Sequence, residues 1–273
     1  MSYINDLETI CKINSYTRNK DGVDKVALVM GEWLEAIGFE LTTYERDTIG
    51  NHQLFTSPNT AGEKILLLGH NDTVFPPNTF ESFTSDESWI YGPGVCDMKG
   101  GNIVALEALR ALYKKNSIKN IDFLLVSDEE TGSDDSKFIT LELAKNYNYC
   151  FVFEAAGKNL EIVTGRKGVG TYTITCQGKA AHAGTMYIKG INANLEATYK
   201  LQELTKLTNL TIGTTINVGQ IVGGIGANTI SSKCELLLEI RYKINSERDR
   251  LLKALDEITQ TSYVEGTIST IEG

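Results

Sequence analysis

The amino-acid sequence predicts an α/β fold with helices flanking a mostly parallel sheet, joined to a second, ferredoxin-like βαββαβ domain. In the first part of the chain, short and almost wholly apolar runs alternate with helical patterns, as in strands buried on both faces of a parallel sheet. After Gly165 the strands alternate in polarity instead, as half-buried strands do. The 273 residues, 41% of them hydrophobic, suffice for two cores.

The first part opens with a helical pattern over residues 23–37, which stops at Gly38, a residue type that commonly ends helices. Three apolar runs predict strands, at residues 65–68, 121–126 and 150–153. Between the first two, residues 102–115 place apolar side chains on one face, which predicts a connecting helix.

The second part contains four alternating segments and two helical ones. The strands are predicted at 170–176, 214–222, 234–242 and 266–271, and the helices at 192–207 and 246–258. Their order is that of the split βαβ sandwich. The simplest division is therefore a first domain over residues 1–164 and a second over 165–273.

Charge and cysteine content exclude several classes of function. The 26 basic and 35 acidic residues leave a formal net charge of −9, which opposes binding to nucleic acid or anionic lipid. No apolar run approaches the roughly 20 residues of a membrane helix, and the first residues lack a signal pattern, so we expect a cytoplasmic protein. The five cysteines contain no C-x-x-C pair and are expected to be reduced and structural.

Each of the three apolar runs ends in groups that are costly to bury. His70 and Asp72 follow the first run, Glu129 and Glu130 the second, and Glu154 the third. Because open parallel sheets bind ligands beyond the carboxyl ends of their strands, these side chains are expected at one edge.

A further acid, Asp97, stands in the glycine-rich segment 92–101, where glycines permit a tight loop. Carboxylates packed together repel and raise one another's pKa unless cations neutralise them. Oxygen ligands with one imidazole suit Zn²⁺, and also Mn²⁺ or Co²⁺. A carboxylate such as Asp97 can bridge two ions about 4 Å apart.

Other interpretations compete with a metal site. A single histidine such as His70 is more often an ordinary polar residue, and adjacent acids such as Glu129 and Glu130 commonly face solvent. Three acid-bearing strand ends on one predicted edge favour the metal site. There is no G-x-S-x-G elbow and no phosphate-binding loop. The glycines of residues 165–170 precede a strand, and Cys96 has no base near it in sequence, which favours a packing role.

Five ordered motifs resemble a known family, the co-catalytic metallopeptidases and deacylases. The family includes glutamate carboxypeptidase, acetylornithine deacetylase, succinyl-diaminopimelate desuccinylase and aminoacylase. The matching segments are 67–74, 92–101, 127–133, 153–154 and 178–184, and the context of Glu154 is most similar to the glutamate carboxypeptidase branch. The resemblance implies a zinc-exopeptidase-like catalytic domain with an inserted dimerisation (lid) domain.

The resemblance also implies a role for each matching residue. His70 and Glu154 would bind one metal ion, Glu130 the other, and Asp97 would bridge them. Asp72 would orient the imidazole, and Glu129 would be the general base. From the second domain, His182 would stabilise the oxyanion across a dimer. Asn228 and Arg241 would recognise the substrate's carboxylate, although a loop amide and an exposed strand arginine are equally good interpretations.

The implied function is a hydrolase with two divalent metal ions per site, most simply zinc. It would release a C-terminal amino acid, such as glutamate, from a peptide or N-acyl substrate, and would form a homodimer through the second domain. An N-acyl amino acid deacylase with the same site and an inactive, dimerising remnant are the alternatives.

One departure from the family bears on activity. Family members return from the small domain to supply more catalytic-domain strands and a last histidine ligand, and no such segment follows Gly273 in this sequence. His52 lies too early to be that ligand. We therefore expect the chain alone to be weak or inactive, whether shortened, completed by a second polypeptide or a remnant.

Overall fold

In the computed structural model, which describes residues 2–273, the chain divides into two units, Met1–Glu161 and Ile162–Gly273. The first unit contains four α-helices: α1 (Ser2–Cys11), α2 (Lys20–Glu35), α3 (Lys99–Tyr113) and α4 (Ser136–Leu143). Its strands are β1 (Glu40–Tyr44), β2 (His52–Thr56), β3 (Ile65–His70), the two-residue β4 (Thr84–Ser85) and β5 (Ile90–Tyr91), β6 (Ile121–Val126) and β7 (Tyr149–Val152).

A five-stranded sheet in the order β1-β2-β6-β3-β7 runs through the first unit. Strands β6, β3 and β7 are parallel, as the apolar runs predict, whereas β1 and β2 pair antiparallel at one side. The sequence pattern predicts neither β1 nor β2. Strand β1 has no apolar run, because its residues are exposed except for the half-buried Tyr44.

The core of this unit lies between the sheet and the helices. Helix α2 buries one stripe that includes Val26, Met30 and Leu34, and this stripe packs in one cluster with Phe55 and Phe123 of the sheet. Burying a side chain of this size contributes roughly 1.5–3 kcal/mol. The helix begins at a cap, since the Asn19 side chain accepts a hydrogen bond from the amide of residue 22.

Strand β7 corrects one expectation. The apolar run at residues 150–153 predicts a strand buried on both faces, but all four residues of β7 are exposed. Among the described residues, β7 pairs only with β3 and forms an edge of the sheet. An apolar composition alone does not distinguish such a strand from a central one.

The second unit has the βαββαβ order that the sequence predicts. Its elements are β8 (Gly168–Gln177), α5 (Ala193–Lys206), β9 (Thr215–Gly223), β10 (Lys233–Tyr242), α6 (Asn245–Gln260) and β11 (Ile268–Glu272). The antiparallel sheet has the order β11-β8-β10-β9. Both helices pack in one core with the sheet, through Ala197 and Leu204 of α5 and Leu251 and Leu255 of α6.

A buried lysine of α5, Lys200, connects the two helices of the second unit. Nζ of Lys200 lies 2.9 Å from a carboxylate oxygen of Glu196, and both side chains are fully buried. The ammonium also donates to the carbonyls of Ile258, Thr259 and Thr261. The ammonium thereby donates hydrogen bonds to carbonyls at the end of α6 that have no partner within the helix.

Over the residues that the structure covers, no helix combines the length and apolar composition needed to cross a membrane.

Candidate metal centre

The parallel strands bring the predicted acids and the histidine to one edge of the first unit. His70 is the last residue of β3, where it pairs in register with Val126, the last residue of β6. The segment after β6 forms a single 3-10 turn that carries Glu129 and Glu130. Glu154 follows the end of β7 by two residues. The topology therefore accounts for the meeting of groups that are far apart in sequence.

The imidazole of His70 lies at the centre of this cluster and is 1% exposed. Its Nε2 atom lies 3.1 Å from Asp97, 3.2 Å from Glu154 and 3.8 Å from Glu129, measured to carboxylate oxygens. One ligand atom from each of His70, Asp97 and Glu130 lies within 4.8 Å of the others. The six predicted residues of this unit are thus brought together, and Asp72 is one of them.

Asp97 reaches the cluster from the glycine-rich loop that leads into α3. The loop contains Gly94 at a positive φ of 76° and a cis peptide bond between Asp97 and Met98. A Cβ at Gly100 would overlap the carbonyl of Val95, and one at Gly101 would overlap the carbonyl of Phe153. These glycines therefore allow close backbone approach as well as the tight turn that the sequence predicts.

Asp72 supports the opposite side of the imidazole. Its side chain is fully buried, and Nδ1 of His70 lies 3.0 Å from the backbone carbonyl oxygen of Asp72 and 3.2 Å from the carboxylate oxygen Oδ1. The amide of Glu129 donates to Oδ1 at 3.3 Å, and the amide of Glu130 donates to Oδ2 at 3.2 Å. Asp72 therefore joins the end of β3 to the turn after β6.

The electrostatics of the cluster favour a bound cation. Burial opposes a charge on the His70 ring, but hydrogen bonds to Asp72 and Glu154 outweigh it and raise its pKa to about 11. Burial and repulsion by Asp97 raise the pKa of Glu130 to about 7. Burial likewise raises the pKa of Glu129, with Glu154 and Asp97 adding to the effect and His70 opposing it. Carboxylates that share one small volume hold protons unless a cation neutralises them.

The donor set fits a divalent transition metal. One imidazole nitrogen and several carboxylate oxygens converge, and the second imidazole nitrogen is held by a carboxylate, the usual arrangement around a metal-bound histidine. His70, Asp97 and Glu154 could hold one ion, and Asp97 and Glu130 could hold a second. The exposed fractions of the Asp97 and Glu129 side chains, 63% and 49%, leave the cluster open to small molecules.

Two of the three predicted residues of the second unit lie together. The amide of Ala183 donates to the carbonyl of Asn228 at 2.9 Å, and His182 forms an isolated bridge with Thr229. His182 is exposed, and its Nδ1 accepts the amides of residues 184 and 185. Its Nε2 is therefore the ring nitrogen that carries the proton.

Arg241 lies at the other end of β10 from Asn228. The strand leaves the Asn228 loop near Cys234, and seven residues at about 3.3 Å each give roughly 23 Å to Arg241. Its guanidinium pairs with Glu239 at 2.6 Å on the same exposed strand face. The expected role of Asn228 and Arg241 in recognising the substrate's carboxylate stays a prediction.

Sequence reasoning missed several residues that support the site. The Thr17 hydroxyl donates to Asp72, and the fully buried ammonium of Lys99 donates to the carbonyls of Ile10 and Ile13. Burial lowers the pKa of Lys99 to about 8. Lys99 stands in the recognised glycine-rich segment, which was the one available signal. Nothing in the sequence distinguishes Thr17 from other loop threonines.

His52 lies outside the cluster but touches its support. It is fully buried on β2, where Nδ1 accepts the amide of Ser127 at 3.2 Å and Nε2 lies 3.0 Å from Asp135. This position agrees with the expectation that His52 is not a metal ligand. The ring instead fixes the end of β6, two residues before Glu129.

Two family models match the chain. The model described as peptidase dimerisation domain matches residues 164–267. The model described as peptidase family M28 matches residues 54–207, more than half of the chain.

Curated relatives match most of the chain. Carboxypeptidase G2 from Pseudomonas sp. (strain RS-16) is 28% identical over 264 residues, which cover 94% of this chain and 64% of that protein. Acetylornithine deacetylase from Vibrio atlanticus is 27% identical over 238 residues, covering 81% and 61%. The chain therefore spans less than two thirds of the length of these relatives.

Solved structures share the fold. Aminopeptidase PepT from Bacillus cereus has a TM-score of 0.82 at 24% identity and covers 99% of this chain and 74% of its own. The M20 family metallo-carboxypeptidase Sso-CP2 from Sulfolobus solfataricus has a TM-score of 0.73 at 16% identity, covering 98% and 78%. At these identities the likeness concerns the fold alone.

Proposed function

Because the chain belongs to the family of co-catalytic metallopeptidases and deacylases, we propose that it forms part of a hydrolase that releases a C-terminal amino acid from a peptide or N-acyl substrate. The observation that carries the proposal is the position of His70. Its Nε2 atom faces three carboxylates within 3.8 Å, and Asp72 holds its Nδ1 atom. We take glutamate as the first amino acid to test, because the context of Glu154 resembles the glutamate carboxypeptidase branch of the family.

The proposed site holds two divalent ions. His70 and Glu154 would bind one, Glu130 the other, and Asp97 would bridge them. When bound, the ions supply Lewis-acid polarisation of the scissile carbonyl and make water acidic enough to ionise near neutral pH. The described residues offer three ligands to the first ion and two to the second, so the first ion should be held more tightly.

Glu129 is the proposed general base. Its carboxylate lies at the mouth of the cluster, half exposed, and burial raises its pKa above the ordinary value, the direction that helps a carboxylate both accept and return a proton. It would accept a proton from the attacking water and deliver that proton to the departing amine. Its backbone amide is fixed by Asp72, which keeps the base close to the imidazole.

The second unit contributes the remaining proposed groups. An exposed His182 whose Nε2 carries the proton can donate to an oxyanion. Asn228 lies in the loop before β10 and Arg241 near the far end of that strand, and both are proposed to recognise the substrate's carboxylate. The match to the peptidase dimerisation domain supports the proposed homodimer.

Metal analysis and a substrate panel test the proposal. Chain loaded with Zn²⁺, Mn²⁺ or Co²⁺ and then dialysed should retain at least one ion. Any turnover of N-acyl-glutamate, or of peptides that end in glutamate, should release free glutamate, and the rate should be low because we expect the chain alone to be weakly active.

Each other outcome points to a different function. Release of the acid from acetylated basic amino acids, with no glutamate release, would favour the deacylase alternative, since acetylornithine deacetylases are also among the relatives. Retention of no ion together with a dimeric mass would favour the inactive, dimerising remnant.

A further inference from the structure

We infer that Thr17 is a positioning residue of the metal centre, because its hydroxyl holds the carboxylate of Asp72 and, through it, the imidazole of His70. This inference rests on the proposed function. Thr17 lies in the loop between α1 and α2, more than 50 residues before Asp72 in sequence. Among the described residues, its hydroxyl donates a hydrogen bond to Asp72 and to none of the predicted metal ligands.

The contact between Thr17 and Asp72 is short and buried. Oγ1 of Thr17 donates to Oδ2 of Asp72 at 2.7 Å, and the two residues are 1% and 0% exposed. The other donors to Asp72 are the amides of Glu129 and Glu130, at 3.3 and 3.2 Å, and Nδ1 of His70 at 3.2 Å. Among the described residues, Thr17 therefore supplies the shortest hydrogen bond to this carboxylate.

The backbone around Thr17 keeps its hydroxyl aimed at Asp72. The amide of Thr17 donates to the carbonyl of Thr73 at 3.2 Å, and the amide of Thr73 donates to the carbonyl of Ser15 at 2.8 Å. These bonds attach the loop to the segment that follows β3. Both ends of the Thr17–Asp72 contact are thus fixed in one short stretch of paired backbone.

Loss of the Thr17 hydroxyl should change the orientation of the His70 ring. Asp72 has one carboxylate oxygen toward His70 and the other toward Thr17, so loss of the hydroxyl leaves Oδ2 with only the longer hydrogen bond from the amide of Glu130 and lets the carboxylate shift. Such a shift would weaken its contact with Nδ1, which, together with the backbone carbonyl of Asp72, directs Nε2 at the proposed ligands. Changes to such outer partners of a metal-bound histidine typically weaken metal affinity by 10–100-fold.

Ser15 provides a matched control in the same loop. It is as buried as Thr17, but its hydroxyl has no hydrogen-bond partner among the described residues. Ser15→Ala and Thr17→Val each delete one buried hydroxyl from this loop. Only the second deletion removes a contact to Asp72.

The test is the affinity for Zn²⁺, measured by competition with a chromophoric chelator on the full chain. Thr17→Val should bind the tightest Zn²⁺ ion about 10-fold or more weakly than the wild type. Thr17→Ser, which keeps the hydroxyl, and Ser15→Ala should match the wild type. Co²⁺ absorption should report the altered ligand geometry of Thr17→Val independently of activity.

A double-mutant cycle separates positioning from a general loss of stability. In an Asp72→Asn background, Thr17→Val should have little further effect on Zn²⁺ affinity, because the carboxylate it positions is already gone. Equal, additive losses in both backgrounds would overturn the inference. If Thr17→Val does not fold, Thr17→Cys is measured instead, because a thiol is a weaker hydrogen-bond donor than a hydroxyl. A Zn²⁺ affinity of Thr17→Cys equal to that of the wild type would likewise overturn the inference.

The result for the wild type distinguishes this inference from the proposed function. If the wild-type chain and Thr17→Val both bind Zn²⁺ tightly and equally well, only the inferred role of Thr17 is wrong. Wild-type chain that binds no Zn²⁺ removes the proposed metal centre, and the inference with it.

Discussion

One carboxylate oxygen of Asp72 lies 3.2 Å from Nδ1 of His70, so that Nε2 of the same ring points at the open carboxylates of Asp97 and Glu154. The two sides of the ring differ in environment. Asp72 is fully buried and held by amides and a hydroxyl, whereas the side chain of Asp97 is 63% exposed. This asymmetry supports the proposal that Asp72 orients the ring and that Asp97 holds an ion.

Substitution of the proposed base should separate metal binding from turnover. Glu129→Gln keeps the size of the side chain and the backbone amide that donates to Asp72. Because only the proton acceptor is lost, turnover should fall by about 10²–10⁴-fold while the metal content stays that of the wild type. Metal analysis and initial rates on the same preparation measure both.

Asp97→Asn is the paired substitution for that experiment. It removes a charge from the residue proposed to bridge both ions, so metal content and turnover should fall together. If Glu129→Gln left the rate intact, the assignment of the base would be wrong.

Gly101 should be sensitive to the smallest side chain. A Cβ there would overlap the carbonyl of Phe153, directly before Glu154. Gly101→Ala should therefore displace Glu154, weaken metal binding, and destabilise the chain by about 1–3 kcal/mol, as overpacking does. A Cβ at Gly165 would meet no atom within 4 Å, so Gly165→Ala should change neither property in chelator competition and urea unfolding.

The sequence predicted the strand ends of the site well because the chemistry there breaks an apolar run. His70, Glu130 and Glu154 follow such runs within four residues, and the parallel pairing of β6, β3 and β7 brings them together. The order of strands and helices in the second unit could also be predicted, because elements of this kind and length have few arrangements.

What the sequence could not predict depends on contacts distant in the chain. Lys99 and Lys200 read as surface residues, since lysines are seldom fully buried, but each donates to carbonyls at the end of a helix. The exposure of β7 likewise follows from strand order. Residue type alone does not determine it.

Mixed dimers should show whether His182 acts on the partner's site. Chains with Glu129→Gln and chains with His182→Ala are each expected to be inactive alone. If His182 acts across the dimer, half of the dimers in an equal mixture hold one intact site, so about a quarter of the wild-type rate should return. Recovery of no activity, with exchange of chains confirmed by mass, would place His182 in the site of its own chain.

The buried ion pair of the second unit should matter more than a surface pair. Lys200→Met leaves the carboxylate of Glu196 buried without its partner, which typically costs about 3–5 kcal/mol. Lys206→Met removes an exposed pair with Glu203 on the same helix, which costs roughly 0–1 kcal/mol. Urea unfolding of both variants measures the difference, and equal losses would contradict the structural role of Lys200.

Glu247 should make the second unit sensitive to acid. Hydrogen bonds from Arg250 and Thr214 lower its pKa from 4.5 to about 2. A carboxylate with a lowered pKa in the folded state stabilises that state above its unfolded pKa, and this stabilisation is lost as pH falls through the folded pKa. The stabilisation by Glu247 should therefore be lost from about pH 4.5 down to pH 2.

Glu247→Gln should be less stable than the wild type at pH 6, and the difference in stability should shrink toward pH 2 in thermal unfolding. A constant difference across this range would show that the charge of Glu247 contributes nothing.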